Sequence, residues 1–229
     1  MQIKLILFDL DGTLVDSKTD IANALNYALS PLGVPKLSDE DTMRVVGDGI
    51  TQLFEKLIGN TTIEIRDSAI AVFSEYYLAH ITEYTKPYPG VLETLKELSN
   101  YKKAVISNKR EQMSKLIIKE LGIEPYIDLL LGGDSVPEKK PSPIPLQMAM
   151  DFFNVIPEQT IMIGDSSNDI NAGISAGVKT IAVTYGFRSI DTLQSADYFI
   201  YKDMRELISI LRGQIGAIAP NPMNSLRDF

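Results

Sequence analysis

Short apolar runs alternate with stretches of helical periodicity from residue 101 onward, and this alternation constrains the fold more than any other feature of the chain. Residues 103–108, 127–132, 160–164, 180–184 and 198–200 read as strands. Between them, helical patterns cover 111–121 (closed by Gly122), 144–153, 169–176 (ended by Gly177) and 204–211. Strands that alternate with helices imply parallel β-α-β units and a sheet covered on both faces. The strands are continuous apolar runs, as expected where both faces are buried. Residues 3–8 (IKLILF) supply one more such run at the start of the chain.

The strand signal disappears between residues 15 and 86. Ile21, Ala24, Leu25, Ala28, Leu29 and Leu32 form a helical stripe behind Ser17 and Asp20, spaced as a capping box. A second capping box, Ser38 with Asp41, opens another helix that stops near Gly47. Residues 50–58 read as a third helix, ended by Gly59 and Asn60. Ile65, Ala69, Val72, Phe73, Tyr76 and His80 align on one side of a long fourth helix. The segment 86–90 (KPYPG) then breaks the pattern. The expected architecture is α/β: a Rossmann-like, doubly wound parallel sheet made of residues 1–14 and 87–212, with a helical module inserted at 15–86. The tail, 213–229, has no clear periodicity and is expected to be irregular.

Polar residues gather at the C-terminal ends of four of these strands. They are Asp9 and Asp11, then Ser107 and Asn108, then Lys140 in the loop after its strand, then Asp165 with Asp169. In an open parallel sheet, ligands bind outside the carboxyl ends of the strands, so these distant residues converge on one pocket. Each has a plainer explanation alone. Asp-Gly is a common turn, Ser107–Asn108 and residues 164–169 can start helices, and Lys139–Lys140 can sit in a solvated loop. For no site to exist, all four explanations must hold together.

The residue types then set the chemistry. Several carboxylates with no thiol or histidine beside them suit a hard, oxygen-preferring cation, most simply Mg²⁺. A carboxylate there can attack phosphorus and form an aspartyl-phosphate. A second can protonate the leaving oxygen and later activate water. Lys140, Ser107 and main-chain N–H groups can stabilise the transferring phosphoryl oxygens. His80, the one histidine, lies on the stripe of the fourth helix and is expected to pack there or face solvent.

Composition bounds the partners. The 229-residue chain carries 22 basic and 30 acidic side chains, a net charge of −8, which does not suit a nucleic-acid-binding surface. A small anionic substrate needs local positive charge against that field. No stretch reaches the roughly 20 apolar residues that span a bilayer. The 3–8 run is too short for a signal peptide, is broken at Asp9 and lacks a cleavage site. With no cysteine there are no disulfides or thiolate sites, which fits a reducing cytoplasm. The expectation is a cytoplasmic monomer or homodimer that acts on a small phosphorylated metabolite and binds neither nucleic acid nor membrane.

The four motifs resemble, in order and spacing, those of the haloacid dehalogenase superfamily. Residues 9–13 (DLDGT) resemble its first motif, 105–108 (VISN) its second, 140–143 (KPSP) its third and 164–169 (GDSSND) its fourth. The helical insert directly after the first motif resembles the cap of its first subclass. The resemblance implies Asp9 as nucleophile and Asp11 as general acid and base. It implies that Ser107, Asn108 and Lys140 hold the phosphoryl group. It also implies Mg²⁺ bound by Asp9, the carbonyl of Asp11 and Asp165, with Asp169 in support. Members that cleave carbon–halogen or phosphonate bonds lack the second aspartate, so Asp11 points to phosphate esters.

Residues 16–21 (DSKTDI), 46–49 (VGDG), 107–111 (SNKRE) and 184–188 (TYGFR) are similar to phosphoglycolate phosphatases. The turn Gly47–Asp48–Gly49 would then face the core site and touch the substrate's non-phosphate end. Mutases of the subclass carry a histidine just after the first motif, and residues 17–21 hold none. The implied reaction is hydrolysis of 2-phosphoglycolate. The alternatives are a pyrophosphate or sugar-phosphate phosphatase, a mutase, or a non-catalytic binding protein, which should have lost Asp9, Asp11 or Lys140.

Overall fold

The computed structural model describes residues 2–59 and 61–213, so the tail expected to be irregular lies outside the described residues from 214 onward. The strands are β1 (Leu5–Phe8), β2 (Val15–Asp16), β3 (Lys86–Pro87), β4 (Lys102–Ile106), β5 (Leu129–Leu131), β6 (Thr160–Gly164), β7 (Lys179–Val183) and β8 (Tyr198–Ile200). The α-helices are α1 (Lys18–Leu29), α2 (Asp39–Val45), α3 (Ile50–Ile58), α4 (Ile63–Ala79), α5 (Val91–Glu97), α6 (Glu111–Glu120), α7 (Ile144–Phe153), α8 (Ser167–Ala176) and α9 (Glu206–Leu211). None of them is long and apolar enough to cross a membrane.

Six strands form one parallel sheet in the order β5-β4-β1-β6-β7-β8. Strand β1 is central and buried on both faces. Leu5 and Leu7 pack with Ala104, Met162, Leu146 and Met150 under α7 and α8. Ile6 and Phe8 point the other way and pack with Val105, Ile163, Leu95 and Ile117 under α5 and α6. All four side chains are fully buried, each worth roughly 1.5–3 kcal/mol of transfer free energy. This is the doubly wound α/β sheet that the alternation predicts. The chain leaves β1 for β4 and β5 on one side, then returns for β6 to β8 on the other. The reversal opens a crevice beyond the carboxyl end of β1.

Helices α1 to α4 enter between β2 and β3, which pair antiparallel through Val15–Pro87 and Asp16–Lys86. Two-residue strands carry no period, so this pairing is invisible in the sequence. Helix α5 also lay outside the periodic segments that the sequence singles out. Ile21, Leu25, Leu53, Phe54, Phe73 and Tyr77 join the helices to each other and extend the core on the Phe8 face of the sheet.

Two expectations need correction. Ser17 and Asp20 do not form a capping box. The Ser17 hydroxyl donates to Asp11 Oδ1 at 2.5 Å, and Asp20 accepts from the Thr85 N–H (2.8 Å), the Thr85 hydroxyl (2.6 Å) and the Tyr84 N–H (3.0 Å). A partner six residues back for Ser17, and partners more than 60 residues on for Asp20, replace the local cap. Helix α4 also buries Ala69, Ile70, Phe73 and Tyr77, a face rotated from the expected stripe, which leaves Ile65 and Val72 exposed. Ser38 does cap the second helix, its hydroxyl accepting from the Asp41 N–H and donating to the Asp41 carboxylate. His80 stacks on Tyr76 and pairs with Glu83, away from the strand ends.

Asp20 is 2% exposed and ties the start of α1 to the segment that returns to the sheet. Asp20→Ala is expected to lower the unfolding free energy by roughly 2–4 kcal/mol, because it strands two N–H groups and a hydroxyl. Urea unfolding with an unchanged m-value would show this as a lower midpoint, and an unchanged midpoint would contradict it.

Candidate active site

The end of β1 turns sharply. Gly12 has φ +85°, and a Cβ there would collide with the Asp165 carboxylate, so only glycine fits between the two strand ends. The turn presents Asp9 toward β6 and Asp11 toward the helical insert. From β6, Asp165 follows directly. Asp169 comes from the first turn of α8, where it forms a capping box with Ser166, accepting from that residue's N–H at 3.0 Å and hydroxyl at 2.6 Å. One oxygen each of Asp9, Asp165 and Asp169 lie within 4.8 Å of one another.

Lys140 sits between them. Its ammonium donates to Asp9 Oδ1 at 2.8 Å and to Asp169 Oδ1 at 2.5 Å, with its side chain only 2% exposed. Asn108 holds the lysine in place from both directions. Its amide oxygen accepts from Lys140 N–H at 3.0 Å and its amide nitrogen donates to the Lys140 carbonyl at 2.8 Å. That amide nitrogen also donates to the Gly47 carbonyl. The Asn108 side chain is therefore engaged with main-chain groups of the Lys140 loop and of the helical insert.

The electrostatics describe a site short of positive charge. Burial, and then the charge of Asp169, raise Asp9 from 3.8 to about 7 against the pull of Lys140. Burial, followed by Asp9 and Asp169, also raises Asp165 well above the usual carboxylate range. Burial alone would depress the Lys140 ammonium, but Asp169 and Asp9 outweigh it and raise its pKa. A hard divalent cation fits this donor set, since oxygen ligands are clustered and their repulsion is what a cation would relieve.

On the other side, Asp11 Oδ1 accepts from Ser17 and from the Lys109 ammonium, the latter at 2.6 Å. Lys109 also donates to the Tyr77 hydroxyl of α4 at 2.7 Å and lies over that ring. Burial pushes the Tyr77 hydroxyl up to about 12, so it stays protonated. The turn Gly47–Asp48–Gly49 is docked on the sheet side. Asn168 donates to the Gly47 carbonyl at 3.3 Å and to Asp48 Oδ1 at 2.8 Å, and the Arg188 guanidinium donates to the Met43 and Val46 carbonyls. The result is a pocket of about 90 Å³, lined by Asp9, Asp11, Ser107, Lys140, Asp165 and Asp169 on the sheet side. Ile21, Ile50, Leu53 and Phe73 line the helical side.

The structure thus brings together every residue singled out in the sequence: Asp9, Asp11, Ser107, Asn108, Lys140, Asp165, Asp169 and the 47–49 turn. Sequence reasoning missed Ser17, Tyr77, Lys109, Asn168 and Arg188 as parts of the site. Lys109, Asn168 and Arg188 lie within the quoted motifs at 107–111, 164–169 and 184–188, which was an available signal. Tyr77 is one more apolar-face residue of a helix and carried none.

The family model for haloacid dehalogenase-like hydrolases matches residues 6–183. A phosphoglycolate phosphatase of Aquifex aeolicus is 39% identical over 192 residues, 83% of this chain and 89% of that protein. One from Neisseria meningitidis is 37% identical over 203 residues, 85% of this chain and 86% of that protein. The crystal structure described as a predicted phosphoglycolate phosphatase from Haemophilus somnus superposes with a TM-score of 0.86 at 33% identity, covering 92% of this chain and 98% of that one. The chain belongs to the haloacid dehalogenase-like hydrolases, is similar among them to phosphoglycolate phosphatases, and is a phosphoric monoester hydrolase.

Proposed function

We propose that this phosphatase hydrolyses 2-phosphoglycolate to glycolate and phosphate with Mg²⁺ as cofactor. The observation that carries the reading is the Asp9–Lys140–Asp169 arrangement, with Asp165, at the end of β1 inside a small pocket. The relatives named for phosphoglycolate supply the substrate. The pocket volume of about 90 Å³ is several times the ~10–15 Å³ that one water needs, so it suits a small ester. The apolar wall of Ile21, Ile50, Leu53 and Phe73 offers few partners to the hydroxyls of a sugar phosphate.

In this reading a carboxylate oxygen of Asp9 attacks phosphorus and the ester P–O bond breaks. Asp11 gives its proton to the leaving glycolate oxygen. The aspartyl-phosphate is then hydrolysed by a water whose proton passes to Asp11, restoring both groups. Lys140, the Ser107 hydroxyl and main-chain N–H groups near Asn108 hold the phosphoryl oxygens. Asp9, the Asp11 carbonyl and Asp165 would hold Mg²⁺, with Asp169 orienting Lys140 and the ligands. The ion supplies charge neutralisation for the phosphoryl oxygens. Residues 15–86 act as a cap on the core formed by 1–14 and 87–212, with the 47–49 turn closing over the substrate and excluding water.

Asp9→Asn is expected to abolish phosphate release from 2-phosphoglycolate with the circular dichroism spectrum unchanged. Turnover at the wild-type rate would remove Asp9 as nucleophile. The same variant tests the cation. Because the folded-state pKa of Asp9, about 7, lies above the ordinary 3.8, ionising it opposes folding as pH rises through that window. In metal-free solution Asp9→Asn should therefore become more stable than wild type between pH about 4 and about 7, by on the order of a few kcal/mol. Adding Mg²⁺ should stabilise the wild type and close the gap. Equal thermal midpoints at every pH, with and without Mg²⁺, would count against a cation at this cluster.

A further inference from the structure

The phosphoryl end of the pocket has its lysine, and the geometry of the other end points to a second. Four cationic side chains line the pocket: Lys109, Arg110, Lys140 and Arg188. Lys140 is held by Asp9 and Asp169. Arg188 is engaged with the Met43 and Val46 carbonyls. Arg110 is an exposed residue at the start of α6. Lys109 differs from all three. Its side chain is 10% exposed, and its ammonium contacts the carboxylate of Asp11 and the hydroxyl of Tyr77. It therefore stands between the leaving-group side of the sheet and the helical insert.

We infer that Lys109 is the specificity residue for the leaving group, pairing with a carboxylate on the alcohol portion of the ester, with the Tyr77 hydroxyl as its partner from the insert. This rests on the proposed reaction and on Asp11 facing the ester oxygen. A carboxylate one carbon from that oxygen, as in glycolate, falls within reach of an ammonium already 2.6 Å from Asp11. The wall beyond it is apolar, formed by Ile21, Leu53 and Phe73. An ester lacking that anion leaves a buried ammonium without its second anion. Selectivity of this kind is strong because the unmatched substrate strands a buried polar group. Tyr77 fits the role because its hydroxyl stays protonated and its ring is held in the core against Phe73.

The test compares 2-phosphoglycolate with 2-hydroxyethyl phosphate, the same ester with a neutral alcohol in place of the carboxylate. Wild type is expected to prefer the carboxylate ester in kcat/KM. In Lys109→Met the ratio between the two esters should fall by roughly tenfold to a hundredfold, the range of a charge-assisted hydrogen bond. Lys109→Arg should retain more of the ratio than Lys109→Met. If Lys109→Met does not fold, Lys109→Gln removes the charge while keeping a donor for Asp11, and the same fall in ratio is expected. Were Lys109 only a support for Asp11, both esters would lose equally and the ratio would stand; that result overturns the inference and leaves the phosphoglycolate reading intact. A wild-type enzyme that treats the two esters alike overturns both.

Discussion

The buried ammonium of Lys140 is the interaction on which the rest of the site depends. An isolated ammonium at that depth is strongly unfavourable, and it persists because Asp9 and Asp169 lie within 2.8 Å and 2.5 Å of it. The dependence runs both ways. Without Lys140, Asp9, Asp165 and Asp169 would face each other with no countercharge among themselves. Even with it, Asp9 and Asp165 remain raised above ordinary carboxylates, because one positive charge does not balance three buried negative ones. A hard cation held by one oxygen from each of the three carboxylates would relieve that repulsion.

The sheet makes this possible by reversing direction at β1. Asp9 reaches the cluster from β1, Asp165 from β6, and Ser107 and Asn108 from β4, because those three strands are neighbours in parallel register. Lys140 arrives from the long loop after β5, and Asn108 fixes its main chain on both sides. The capping box of α8 does two things at once. It starts the helix, and it holds one oxygen of Asp169 so that the other faces Lys140. A local helix signal and a site residue are therefore the same side chain.

Much of this was legible in the sequence, and the exceptions share a cause. The five later strands, the helices at 144–153 and 50–58, and the convergence of four strand ends follow from local periodicity and from the topology of parallel sheets. Ser17 and Asp20 went wrong because their spacing matches a cap while their partners, Asp11, Tyr84 and Thr85, lie elsewhere in the chain. The face of α4 was misassigned because its apolar residues occur nearly all round the helix. Ala69 and Phe73 belong to both the expected stripe and the buried face, whereas only packing against the rest of the core selects Ile70 and Tyr77. Arg188 lies in the 184–188 motif but carried no periodic signal, since its partners are carbonyls of α2 and the turn that follows it. Long-range polar contacts of this kind leave no periodicity in a single sequence.

Those same contacts join the helical insert to the chemistry. Asp11 accepts from Ser17, which begins the insert, and from Lys109, which also holds Tyr77 on α4. Asn108 links the main chain of Lys140 to the Gly47 carbonyl, and Asn168 links α8 to Gly47 and Asp48. Moving the insert away from the sheet must therefore break donors to the 47–49 turn and separate Tyr77 from Lys109, all within hydrogen-bond distance of the proposed nucleophile's neighbours. In this arrangement the side chains of Asn108, Lys109, Asn168 and Arg188 that line the pocket are also the ones whose hydrogen bonds join the helical insert to the sheet.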